Sequence, residues 1–342
     1  MPSLRKWLAD PVWLVVLALG AALIGPSPSA GEKGTESEAS ARLIAAALEG
    51  PVSAYKGRMI TGRWKGRSSM AAEEVNVYYS PPGSYRYEYL SPSGQTEKVV
   101  LLDTARSGIE WIKSGSGDFC EAKNPPLLIS PERERRLALL NYRAGAARVD
   151  RLLGRAVFVI ELTPRIPGKP RQTVWLDKRT HVVLAARRYL EEGGFVELSQ
   201  FTSFEPCQRI PSAIFEGRQA SLMDQMPEGD AGRTMMAEVI RSNPKPLSLP
   251  GGFSLRSVDV FEVDNSRVQH FQYTDGLMPL SLFQSERPLE LSGDAITKLP
   301  DNAVMAEVSG GRIRSWRRKK SHYTLMGDLS PDLIERIAFL VR

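Results

Sequence analysis

The stretch Tyr85-Arg86-Tyr87-Glu88-Tyr89 alternates strictly, with three tyrosines on one side of an extended chain and two charges on the other. Successive side chains of a strand point to opposite faces, so this period of two commits the segment to a sheet with one buried face. A looser form of the same period runs through residues 54–64, 74–79, 97–102 and 107–113, and again through 155–162, 171–176, 181–190 and 194–204. The connectors 80–83 (SPPG), 177–180 (DKRT) and 191–193 (EEG) have hairpin length. Parallel pairing would need a dozen or more residues between strands. The pattern therefore predicts a large antiparallel sheet within residues 39–215. Two segments break the period. Residues 39–48 are rich in Ala and Leu and end at Gly50-Pro51; in residues 130–141, Ser130 can cap, Pro131 fits the first turn and Glu132 complements the helix dipole. Both predict helices packed on one face of the sheet.

Residues 216–248 lose the β pattern and read as a linker with some helix, carrying Met223, Met226, Met235 and Met236. A second, smaller β module begins at Leu249-Pro250-Gly251-Gly252-Phe253 and reaches residue 342. Its strands are expected at 254–263, 267–274, 278–284, 304–308, 312–316 and 321–326, with Asp275-Gly276 as a hairpin turn. Residues 330–342 close the chain as a helix. Ser330 caps it, Pro331 opens it, and Leu333, Ile334, Ile337, Ala338 and Val341 form its buried stripe. The fold class read from the chain is α+β, mostly antiparallel β.

Residues 1–30 read as an export signal. Arg5 and Lys6 precede a 14-residue uncharged run at 12–25, and Pro26 to Ala30 supply a breaker and small residues, with the cut after Ser29 or Ala30. The run is short of the roughly 20 apolar residues of a membrane span, so an uncleaved anchor is the lesser alternative. No cysteine near the cut offers a lipid attachment point. In an oxidising compartment the two cysteines, Cys120 and Cys207, either pair or remain separate buried thiols.

Catalytic patterns are scarce. His181, His270 and His322 lie outside metal-ligand spacing of one another, and no H-E-x-x-H, G-x-S-x-G or P-loop is present. No catalytic residue, metal or cofactor is assigned; a hydrolase whose acids meet only in space stays as the enzymatic alternative. A net charge of +6, from 45 basic and 39 acidic residues, favours no nucleic-acid partner. Aromatic rings stand out on the expected strands: Trp64, Tyr79, Tyr85, Tyr87, Tyr89, Trp111, Phe158, Trp175 and Phe195. On a curved sheet they either line an apolar hollow suited to an acyl chain or pack beneath the helices. A second cluster, Arg312, Arg314, Trp316, Arg317, Arg318, Lys319 and Lys320, surrounds an expected hairpin. It is either a contact for lipid phosphates or an acidic partner, or a solvated tip.

Residues 148–165 (RVDRLLGRAVFVIELTPR) with 171–177 (RQTVWLD), and in the second module 249–253 (LPGGF), 268–277 (VQHFQYTDGL) and 280–283 (LSLF), resemble the MucB/RseB family. The likeness runs over roughly residues 40–342. Residues 321–331 depart from the family pattern, with Asp328 as the acidic residue and Ser330 inserted before Pro331. The resemblance implies a periplasmic negative regulator of the sigma-E envelope stress response. Its first domain would be a LolA-like open half-barrel with covering helices, over 39–215. Its second, over 249–342, would engage the periplasmic domain of a membrane anti-sigma factor, with an acyl-chain lipid or lipoprotein as the signal. A LolA-like periplasmic carrier of lipoproteins or lipids is the alternative, and a homo-oligomer is left open.

Overall fold

The computed structural model describes residues 36–341 except 66–68, 104–107, 122–126, 190–194, 217–245, 264, 290–294, 300–302 and 309–310. The expected export signal, its cleavage site and nearly all of the expected linker lie outside the described residues. Among the described residues no helix is long and apolar enough to cross a membrane.

Helix α1 (Glu36–Glu49) leads into a twelve-stranded antiparallel sheet. Its strands are β1 (Tyr55–Lys65), β2 (Ser69–Ser80), β3 (Ser84–Leu90), β4 (Thr96–Asp103), β5 (Gly108–Ser114) and β6 (Cys120–Glu121), then, after helix α2 (Pro131–Asn141), β7 (Tyr142–Ala144), β8 (Arg148–Leu152), β9 (Arg155–Pro164), β10 (Arg171–Asp177), β11 (Val183–Tyr189) and β12 (Phe195–Pro206). The spatial order is β6-β5-β4-β3-β2-β1-β12-β11-β10-β9-β7, with β8 paired to β9 off this path. Ser130 caps α2 as expected, its hydroxyl accepting from Arg133 N–H at 3.3 Å.

The two faces of this sheet are unequal. On β1–β3 one face carries Lys56, Arg58, Glu74, Asn76, Arg86 and Glu88, several of them joined across strands, as in Arg58–Glu74 at 3.5 Å. The other face carries the buried apolar side chains of those strands, and the register continues it through Phe201 and Ser199 of β12 and Ala186 of β11 to Val174 of β10 and Ile160 of β9. An apolar face of that extent has to be turned inward, and the sheet curls around it as a half-barrel. Strands β9–β11 are buried on both sides. Ile160, Leu162, Val174 and Ala186 lie under Ile44 of α1 and Tyr142 at the end of α2. The run Val157-Phe158-Val159-Ile160 is continuously apolar for that reason.

A second, eight-stranded antiparallel sheet has the order β13-β14-β15-β16-β20-β19-β18-β17. Its strands are β13 (Ser248–Leu249), β14 (Phe253–Val263), β15 (Ser266–Thr274), β16 (Pro279–Ser285), β17 (Ala295–Lys298), β18 (Val304–Val308), β19 (Gly311–Arg318) and β20 (Ser321–Gly327). Helix α3 (Pro331–Leu340) packs on it through the expected stripe of Leu333, Ile334, Ile337, Ala338 and Val341, against Phe253, Phe271, Leu282 and Leu325. Ser330 accepts from Leu333 N–H at 3.3 Å.

The pairing of Cys120 with Cys207 is not formed, because Cys207 is a free thiol. Cys120 belongs to β6 at the sheet edge and Cys207 follows β12, six strands away. Six spacings of about 4.8 Å far exceed the roughly 7 Å Cα limit for a disulfide.

Candidate binding site

The tyrosines meet on the inner face. Register pairs Tyr79 with both Tyr55 and Tyr85, and Val77 with Tyr87. Ring centroids lie 5.2 Å apart for Tyr55–Tyr79, 4.6 Å for Tyr79–Tyr85 and 5.7 Å for Tyr85–Tyr87. Such pairs contribute roughly 0.5–1.5 kcal/mol each beyond their area. Phe201 and Phe204 of β12 close on Tyr55 from the other side. All these tyrosines, with Tyr89, are buried. Tyr79 donates its hydroxyl hydrogen to Pro51 O at 2.8 Å, while the hydroxyls of Tyr55 and Tyr87 meet no hydrogen-bond partner among the described residues. Burial pushes the Tyr79 phenol up to about 12 and those of Tyr85 and Tyr87 well above their ordinary value, so all three are neutral at physiological pH.

The other expected lining residues divide. Trp175 packs against this inner cluster, with Arg187 over its ring at 4.9 Å. Phe158 packs with the cluster beneath α1 and carries Lys178 over its ring at 4.7 Å. The side chains of Trp64, Trp111 and Phe195 lie outside the described residues. The tyrosines thus pack ring on ring along the inner face. A cavity of about 200 Å³ lies between α1 and α2. Its walls include Ala41, Ile44, Ala138, Tyr142, Leu162 and Leu277, and it is smaller than the roughly 300–1,000 Å³ of drug-sized ligand pockets.

Two buried charge clusters join the sheets. Lys169, in the β9–β10 connection, and Asp275, after β15, are both wholly shielded from water at the side chain, with Nζ 2.8 Å from Oδ2. Lys169 also donates to Gly251 O at 2.8 Å, and Tyr142 donates to the same Asp275 oxygen at 2.9 Å. Asn141 donates to Gly252 O and to Asp275 O, and Asp275 Oδ1 accepts from the N–H groups of Leu277 and Met278. Every polar group here has a partner, which is what makes a buried pair tolerable. In the second cluster Arg188 of β11 lies 2.6 Å from Glu197 of β12 and 3.0 Å from Asp328, which directly follows β20. Burial works against the Arg188 charge, but Glu197 and Asp328 outweigh it and raise its pKa.

No protein-family model matches the chain, and no curated protein does. Solved structures do. MucB in complex with MucA(peri) superposes with a TM-score of 0.55 at 19% identity, covering 89% of this chain and 96% of the MucB chain. The Pseudomonas aeruginosa MucA/MucB complex gives a TM-score of 0.56 at 20% identity with the same coverage. The chain has the MucB fold.

Within this MucB fold the basic run of β19 is divided by strand alternation. Arg312 donates to Leu329 O and lies 3.6 Å from Glu307; Arg314 pairs with Glu335 of α3 at 2.7 Å. Trp316 is only 8% exposed, stacks on Tyr323 in the core and carries the Arg314 guanidinium over its ring at 5.2 Å. Arg317, Lys319 and Lys320 remain exposed at the tip, with Arg318 half-buried. The histidines stay apart. His270 lies 2.9 Å from Ser281 Oγ and stacks on Phe283, and burial holds its pKa down at about 3. Burial and then Arg317 lower His322. His181 sits in a turn at φ 55°, ahead of β11 rather than in a strand. Sequence reasoning missed Lys169, Asn141, Tyr142 and Arg188, and took Asp275 for a turn residue alone. The available signal was the arginine pair Arg187-Arg188 directly after the apolar run at 182–186, and a lysine enclosed by Gly168 and Pro170.

Proposed function

We propose that the chain is an exported, non-enzymatic binding protein of the bacterial periplasm. It holds the periplasmic segment of a membrane anti-sigma factor and so restrains a sigma-E-type envelope stress response. One observation carries this reading: the fold matches that of MucB in its complexes with MucA over 89% of the chain, both sheets included. The two sheets are read as two domains, with boundaries near residues 215 and 249. The test is a calorimetric titration of the full chain with the periplasmic segment of the anti-sigma factor from the same genome. Stoichiometric binding is expected, and its absence ends the proposal.

An acyl-chain lipid is proposed as the signal that releases the partner. Two features support an inner-face site: the cluster of buried apolar side chains on it, and the unpartnered hydroxyls of Tyr55 and Tyr87. A buried unsatisfied polar group costs about 1–3 kcal/mol, and an ester or carboxyl oxygen would relieve both. The rings must part to admit a tail. A lipid acts only if it binds the released state more tightly than the complex. Unchanged partner affinity across a lipid titration would remove this half of the proposal and leave the first standing. Stoichiometric lipid with no protein partner would instead favour the carrier.

A further inference from the structure

The hairpin joining β8 to β9 projects from the edge of the first sheet. Residues 148–151 are exposed on both faces of the strand, and Leu152 at its end is half-buried. Val149 is 65% exposed and Leu153 38%. Leu153 and Gly154 make the turn, with φ of 53° and 72°. Gly, Asn or Asp suits such a left-handed turn, and a branched apolar residue is strained there. Leucine at this tip therefore carries a cost in backbone conformation and a second cost in exposed apolar surface.

Cations surround these two side chains. Arg148 and Arg151 are exposed on β8, and the β10–β11 turn adds exposed Lys178 and Arg179. That turn is fixed to the hairpin by Lys178 N–H donating to Ala156 O at 3.0 Å and by the Arg155–Asp177 pair at 2.6 Å. Asp177 is buried, so across 148–155 and 177–180 Asp150 is the one exposed acid, and its Oδ1 accepts from Arg151 N–H.

We propose that this ridge docks on an anionic lipid bilayer. Val149 and Leu153 enter the headgroup layer, and Arg148, Arg151, Lys178 and Arg179 meet lipid phosphates. A strand exposed on both faces offers no groove to hold a peptide, whereas a yielding anionic surface closes around a projection of mixed apolar and basic character. The inference does not rest on the partner or lipid signal proposed above.

The test is amide hydrogen exchange on the full chain with vesicles of phosphatidylglycerol and phosphatidylcholine, or of phosphatidylcholine alone. Adhesion through the apolar run at 12–25 would leave the ridge amides unchanged, so the readout is local. Slowed exchange at 148–155 and 177–180 is expected with the anionic vesicles only, and it should fade in high salt. Each lost cation weakens such attachment about fivefold, so Arg148→Glu with Arg151→Glu should raise the lipid concentration required at least about 25-fold. Leu153→Asn, which suits the turn and keeps the fold, should weaken docking too. The proposal is overturned by no protection at the ridge, by equal protection in the charge-reversed variant, or by protection from polyglutamate but not from vesicles. That last result assigns the ridge to an acidic protein segment.

Discussion

Lys169 and Asp275 are wholly shielded from water, and each satisfies the other together with groups from both sheets. Removing one partner leaves a buried charge uncompensated. Lys169→Met should therefore cost about 3–5 kcal/mol, read as a shifted urea midpoint. A loss under 1 kcal/mol would show that the pair is dispensable. His270 makes the opposite kind of prediction. Its imidazole titrates near 6.5 in the unfolded chain but is held at about 3 by burial in the fold. Between those values the unfolded chain takes up a proton that the folded chain refuses. Stability is thus full above about pH 6.5 and falls as pH drops through the window, by up to about 1.4 kcal/mol per unit. His270→Gln, which can keep the bond to Ser281, should flatten that acid limb of the urea midpoint between pH 7 and 4. An unchanged slope would contradict this account of His270.

At the scale of elements, the hairpin β8–β9 is where sequence and structure disagree most usefully. β8 was not expected, because a strand exposed on both faces lacks the alternation that reveals strands. β7 is three residues long and continues directly from α2, too short to show a period. The helix starts were legible, since Ser130-Pro131 and Ser330-Pro331 satisfy orphan N–H groups through local chemistry alone. The turn at Leu153 carries its own prediction. Left-handed backbone costs an ordinary L-residue about 1–2 kcal/mol, and asparagine tolerates it. Leu153→Asn should raise stability by about 1 kcal/mol even as it weakens lipid docking. A loss of stability in thermal unfolding would mean that the leucine packs against something that stabilises the hairpin.

For the whole molecule the decisive contacts are those between the sheets. Gly276, at φ 96°, lies so close to α2 that an added Cβ would meet the backbone of Ala138 and of Glu134. No side-chain movement relieves a clash with backbone. Gly276→Ala should therefore undock the sheets without destroying either core. Calorimetry is expected to show one unfolding transition for the native chain and two for the variant. A single, merely weakened transition in G276A would mean that the sheets do not need this approach.

The alternation of Tyr85, Tyr87 and Tyr89, the serine–proline helix starts and the stripe on α3 were set by the order of residues, because each depends on neighbours in the chain. The curl of the sheet, the packing of its tyrosines ring on ring and the withdrawal of Trp316 into the core were not. Nor were the separation of Cys120 from Cys207 and the meeting of Lys169 with Asp275, which stand 106 residues apart. Those depend on which strands become neighbours and on how two sheets close over one another, and long-range packing alone decides that.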